Sequence, residues 1–191
     1  MGDFLTYSPY KTYNTQKKKG GKVMKKPLIV SLPYPSLDDI EKDKKTALIL
    51  SRAYAGCHGE LNAILQYIYH HFYFNDLRKK EYAEKLIEIS LAEMLHLSLL
   101  GETLLKLGLD PQYITYSPLF NNFYSTKNVS YSKQIDKMLL DDLSSELVAI
   151  EEYKEISQSI KDPKIQALLS RIILDEELHV QVLKEIMEKD F

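Results

Sequence analysis

Residues 60–67 (ELNAILQY) and 146–153 (ELVAIEEY) both read E-L-x-A-I-x-x-Y. An aspartate follows each glutamate by 16 residues, Asp76 after Glu60 and Asp162 after Glu146. Each half then carries an E-x-x-H pair: Glu93 and His96, 33 residues after the first glutamate, and Glu176 and His179, 30 residues after the second. Alone, E-x-x-H recurs by chance in a chain this rich in glutamate. Together with a repeated eight-residue pattern at a matching distance, it reads the chain as two copies of one unit.

The unit is a helical hairpin. From Leu37 onward apolar residues recur at steps of three and four, the spacing of one helix face. Ser36 with Asp39 resembles a capping box, which predicts a first helix from Leu37 to about Tyr73 with a turn at Asn75-Asp76. A second helix is expected from Leu77 to Leu107, stopped by Gly108 and by Pro111 beyond it. Residues 109–130 show no clear period. A third helix is expected from about Ser132 to Lys161, and Asp162-Pro163 opens a fourth that continues nearly to the last residue. The turns within each half are short, so each half folds back on itself. The connection between halves is long enough to run the length of the helices, and one long crossover in an all-α four-helix bundle is the ferritin-like arrangement.

The repeated acids fall where a helix bundle has its core. The inward stripe of the fourth helix reads Ile165, Leu168, Ile172, Glu176, His179, Leu183, Ile186; the second reads Leu86, Ile89, Glu93, His96, Leu100, Leu104. Leu139 and Leu143 lead into Glu146 and Tyr153, and Ile49, Ala53 and Gly56 lead into Glu60 and Tyr67. Each glutamate is thus expected in mid-helix on an apolar stripe. Four converging carboxylates repel one another or take up protons. Two divalent cations balance four negative charges, and carboxylate with imidazole suits iron or manganese. E-x-x-H places two ligands one turn apart on the same face. The candidate metal-ligating and catalytic residues are therefore Glu60, Glu93, His96, Glu146, Glu176 and His179.

At these residues, over about 37–190, the chain resembles the ferritin-like superfamily, especially its rubrerythrin, bacterioferritin and manganese-catalase branches. The resemblance implies that Glu60 and Glu146 are single-helix carboxylate ligands, that Glu93 and Glu176 bridge, and that His96 and His179 each end on one ion. It implies that Asp175 hydrogen-bonds a histidine of the opposite helix; the matching position before Glu93 is Ala92. Rubrerythrins carry a further glutamate where this chain has Ala149, and the full-length ones a cysteine-rich iron domain that a chain with one cysteine does not contain. The expected function is that of a dinuclear iron or manganese oxidoreductase acting on hydrogen peroxide or dioxygen, with a separate electron donor where one is needed. Iron storage is the alternative. A third is a metal-stapled structural bundle, for which the Gly59-Glu60-Leu61 setting resembles small spore-coat relatives of manganese catalase.

Composition narrows the partners. A formal net charge of −2 with 27% charged residues speaks against a dedicated nucleic-acid binder. No stretch has the unbroken apolar length of a membrane span, and Cys57 alone forms no intrachain disulfide, so a cytoplasmic protein is expected, as a homodimer or larger homo-oligomer. Residues 1–36 form a separate basic arm, with Lys11, Lys17, Lys18, Lys19, Lys22, Lys25 and Lys26 against Asp3 alone. The arm is read as solvated, with Tyr7, Tyr10, Tyr13 and Tyr34 offering docking contacts as the alternative. His70 and His71 are expected at the surface or in capping roles, Cys57 as a small buried residue, and Tyr67 and Tyr153 as packing residues of the core, with hydrogen bonding or a redox part as the alternative.

Overall fold

In the computed structural model, which describes residues 25–116 and 121–190, the helical periodicity is realised as five helices. They are α1 (Lys44–Ala55), α2 (Glu60–Asp76), α3 (Lys80–Lys106), α4 (Ile135–Ser159) and α5 (Pro163–Asp190). α2 packs against α3 and α4 against α5 as two hairpins, and α1 with α2 occupies the place of the first helix of a four-helix bundle. The arm's Tyr7, Tyr10 and Tyr13 and most of its lysines lie outside the described residues. Among the described residues no helix is long and apolar enough to cross a membrane.

The first bundle helix departs from expectation in two ways. It starts at Lys44, where Asp43 Oδ1 accepts the N–H groups of Lys45 (3.0 Å) and Thr46 (3.1 Å). That is an N-cap satisfying two of the unpaired amides of a helix start. Ser36 instead closes a local turn, donating its hydroxyl to Asp38 at 2.7 Å, and Asp39 takes a positive φ of 55°. The helix is also broken at residues 56–59. A Cβ on Gly56 would lie 2.4 Å from Arg52 O, and one on Gly59 2.5 Å from Ala53 O, so only glycine lets the chain pass this close to the end of α1. Glu60 is consequently the first residue of α2 rather than a mid-helix residue.

The other boundaries follow the signals closely. Gly108 takes φ 88°, and Leu109 N–H bonds Leu104 O at 2.9 Å, closing α3 as a left-handed cap. Asp162 Oδ1 accepts from Lys164 N–H at 2.8 Å to open α5. The crossover, read as having no clear period, holds a short antiparallel pair: β1 (Ile114–Tyr116) and β2 (Asn121–Phe123), with Thr115 opposite Asn122. It is tied to α1 by Thr115 Oγ1 donating to Ala55 O at 3.0 Å.

Two apolar layers fill the bundle. One is built around Leu50, Leu100, Leu104, Ile156, Leu168 and Ile172. The other is built around Tyr67, Phe74, Leu86, Ile89, Met138, Leu183 and Ile186. Each fully buried Leu or Ile contributes about 2 kcal/mol, which together supports a polar stratum between them.

Candidate metal centre

That stratum holds all six residues singled out by the repeat. Glu60, Glu93, His96, Glu146, Glu176 and His179 are each at most 3% exposed, contributed by four different helices. They form two overlapping groups, Glu60–Glu93–His96–Glu176 and Glu93–Glu146–Glu176–His179, in each of which one ligand atom per residue lies within 4.8 Å of all the others. Glu93 and Glu176 belong to both groups.

The imidazoles are oriented from outside. His96 Nε2 meets Asp175 Oδ2 at 3.1 Å, and His179 Nε2 meets the Leu28 carbonyl at 2.9 Å. A carbonyl only accepts, so His179 donates from Nε2 and turns Nδ1 inward. His179 Nδ1 lies 2.9 Å from Glu176 and 3.0 Å from Glu93; His96 Nδ1 lies 3.1 Å from Glu176 and 3.3 Å from Glu93. A bare nitrogen lone pair cannot face carboxylate oxygens at such distances without a proton or a cation between them.

Electrostatics state the same need. Burial, and then the charge of Glu93 on Glu60 and of Glu176 on Glu146, hold Glu60 and Glu146 well above the usual carboxylate range. Burial alone would lower both histidines, but the facing glutamates outweigh it and hold them well above the usual value. Burial, and for Glu93 the charge of Glu176, push these two upward, yet a hydrogen bond from Glu60 and the His179 imidazole hold Glu93, and both imidazoles hold Glu176, below the usual range. Without a metal, the cluster thus stays neutralised by protons.

Glu93 Oε1 and Glu176 Oε1 are buried without a hydrogen-bond partner, although each lies within 3.1 Å of an imidazole nitrogen. The proximity is real but the angles are not those of a hydrogen bond, so proximity does not satisfy these oxygens. Oxygen and imidazole donors, two orphaned carboxylate oxygens and two overlapping groups fit a pair of divalent cations.

Several neighbours were misread or unread in the sequence. Tyr153 donates to Glu60 Oε1 at 2.6 Å and Tyr67 donates to Glu146 Oε1, so both tyrosines hold carboxylates as well as packing. His70 is fully buried, not superficial. Its Nδ1 is 2.8 Å from Asp142, which also accepts from Gln66 at 2.9 Å, and its Nε2 is 3.1 Å from Ser130 O. His71 is half-buried against Ala83 O at 2.8 Å. Cys57 is exposed at the α1–α2 break rather than buried. Its neighbour His58, with Asn62, Ala63, Ser145 and Ala149, lines a narrow cleft that reaches the glutamates and has a volume of about 10 Å³, room for about one water-sized molecule.

The model of the ferritin-like domain matches residues 57–190, which hold every one of these ligand candidates. The chain belongs to the ferritin-like family. This ferritin-like fold is shared with KatB, a manganese catalase from Anabaena, at 18% identity and a TM-score of 0.72, over 84% of this chain and 78% of that one. It is shared also with the bacterioferritin of Rhodobacter capsulatus, at 26% identity and a TM-score of 0.63, over 76% of this chain and 85% of that one. The bacterioferritin structure is described as having a metal-free dinuclear site. No curated protein matches the chain by sequence.

Proposed function

We propose that this ferritin-like protein is a dinuclear iron or manganese oxidoreductase whose substrate is hydrogen peroxide or dioxygen. The observation that carries the reading is the pair of orphaned, buried oxygens on Glu93 and Glu176, the two residues common to both ligand groups. In this reading Glu93 and Glu176, common to both groups, would be shared by two ions, with Glu60 and His96 serving one and Glu146 and His179 the other.

Two redox-active ions held by these residues would supply the two-electron chemistry by which one hydrogen peroxide, with two protons, is reduced to two waters and a second is oxidised to dioxygen and two protons. Disproportionation of peroxide needs no outside electron donor, which suits a chain with a single cysteine. The protein supplies the rest. Tyr67 and Tyr153, whose hydroxyls burial and the adjacent glutamates keep protonated, hold Glu146 and Glu60 as donors. The apolar layers exclude water from either side. The cleft beside His58 is smaller than the pockets that take organic ligands, and suits a substrate of a few atoms.

Iron oxidation for storage is the second reading, favoured by the likeness to a bacterioferritin. One experiment separates them. Protein loaded with manganese or iron is given hydrogen peroxide in an oxygen electrode, alongside Glu93→Ala plus Glu176→Ala. Dioxygen release that disappears in the variant is the expected result. No release, with added ferrous iron instead oxidised and retained, moves the assignment to storage.

A further inference from the structure

Residues 27–34 run across α3 and α5 without regular structure, and their polar contacts lead to both histidines of the centre. Leu28 bridges the two helices by its backbone, donating N–H to Glu88 O at 2.9 Å and accepting His179 Nε2 at 2.9 Å. Val30 N–H donates to Asp175 Oδ1 at 2.7 Å, and the Tyr34 hydroxyl donates to Asp175 Oδ2 at 2.5 Å. Arg171 fastens the segment from below. It donates to Val30 O (2.9 Å) and Leu32 O (2.9 and 3.1 Å), its guanidinium lies 4.3 Å from the centre of the Tyr34 ring, and it pairs with Asp175 at 2.7 Å.

The two halves of the repeat are unequal at this level. His96 has Asp175 from the opposite helix. The matching position for His179 is Ala92, which has no donor or acceptor in its side chain, and the Leu28 carbonyl stands in its place. The solvated-arm reading therefore does not hold for residues 27–34.

We propose that this strap is a working part of the metal centre: it fixes the Nε2–H form of both histidines, with Leu28 O holding His179 directly and Tyr34 positioning His96 through Asp175. The proposal rests on the dinuclear reading above. Outer groups of this kind, which orient a ligand imidazole, alter metal affinity by about 10- to 100-fold. The asymmetry gives the strap a signature. Loss of the Tyr34 hydroxyl weakens the ion beside His96 and spares the one beside His179, whereas loss of the whole strap weakens both.

The test uses full-length protein in three forms: wild type, Tyr34→Phe, and a variant with residues 27–34 replaced by a glycine–serine segment of equal length. Manganese dissociation constants are measured by chelator competition. The zinc-loaded proteins are examined by nitrogen-15 NMR for slowly exchanging imidazole Nε2–H protons. The expected result is one site weakened about 10- to 100-fold in Tyr34→Phe and both in the strap variant, with protection of the Nε2–H of His179 lost only in the latter. If the strap variant does not fold, Tyr34→Phe decides by its single-site loss and the faster exchange of His96. Wild-type affinities and intact protection in the variants overturn the strap alone. Absence of metal from the wild type overturns both the strap and the centre it serves.

Discussion

Tyr153 on α4 donates its hydroxyl to Glu60 on α2 at 2.6 Å, and Tyr67 on α2 returns the bond to Glu146 on α4. Each half of the repeat thus holds the carboxylate of the other, so the tyrosines cross-brace the two hairpins at the level of the centre. Removing one hydroxyl leaves a buried carboxyl oxygen short of a donor. Tyr153→Phe and Tyr67→Phe are each expected to destabilise the metal-free protein by about 1–3 kcal/mol, read from urea unfolding. A loss below about 0.5 kcal/mol for both, the range of ordinary surface substitutions, would mean that they only pack.

The protonated cluster gives the metal-free protein an unusual pH dependence. Glu60, Glu146, His96 and His179 are all raised in the folded state. The stability each contributes is full below its unfolded value and is lost as pH rises through its folded one. Glu93 and Glu176 are lowered and act the other way, losing their contribution only as the solution becomes strongly acidic. The melting temperature of metal-free protein should therefore fall as pH rises above about 5. Metal displaces those protons, so the stabilisation it adds should grow over the same interval. Parallel curves for the two forms would show that metal and protons do not compete for one site.

His70 and Asp142 make a second buried pair, separate from the centre, that clasps the end of the crossover to α2 and α4. Removing His70 leaves Asp142 and the Ser130 carbonyl without this buried partner, and His70→Ala is expected to cost about 1–3 kcal/mol while metal content per folded chain stays unchanged. A variant that keeps its stability but loses metal would place His70 in the centre instead.

Gly59 is required by a close approach, since its φ of −86° is open to any residue. Gly59→Ala would force a Cβ against Ala53 O at 2.5 Å and Arg52 O at 2.8 Å. The expected loss is about 1–3 kcal/mol, with weakened binding of metal beside the displaced Glu60. Unchanged unfolding would show that the break at 56–59 yields easily.

Features whose place follows from repetition and period were legible in the sequence: the two hairpins, the crossover, and the convergence of Glu60, Glu93, His96, Glu146, Glu176 and His179. What escaped were features with no period. The break before Glu60 depends on how closely Gly56 and Gly59 pass a carbonyl, a distance that composition does not encode. Asp43 capped the first helix from within Lys42-Asp43-Lys44-Lys45, where a hydrophilic run conceals the boundary. His70 looked superficial because its partner Asp142 lies 72 residues away. The Leu28 contact is made by a backbone carbonyl, which any residue carries, so no side-chain pattern announces it. Only the lack of a polar group at Ala92 left a signal that His179 needed another acceptor.

Metal content decides whether Glu93 and Glu176 share two metal ions. Protein purified without added metal is compared by mass spectrometry with Glu93→Ala plus Glu176→Ala. About two iron or manganese ions per wild-type chain, absent from the double variant, is the predicted result. No bound metal in wild type, even after reconstitution with either ion, would leave the six residues a buried cluster that holds protons and no ions.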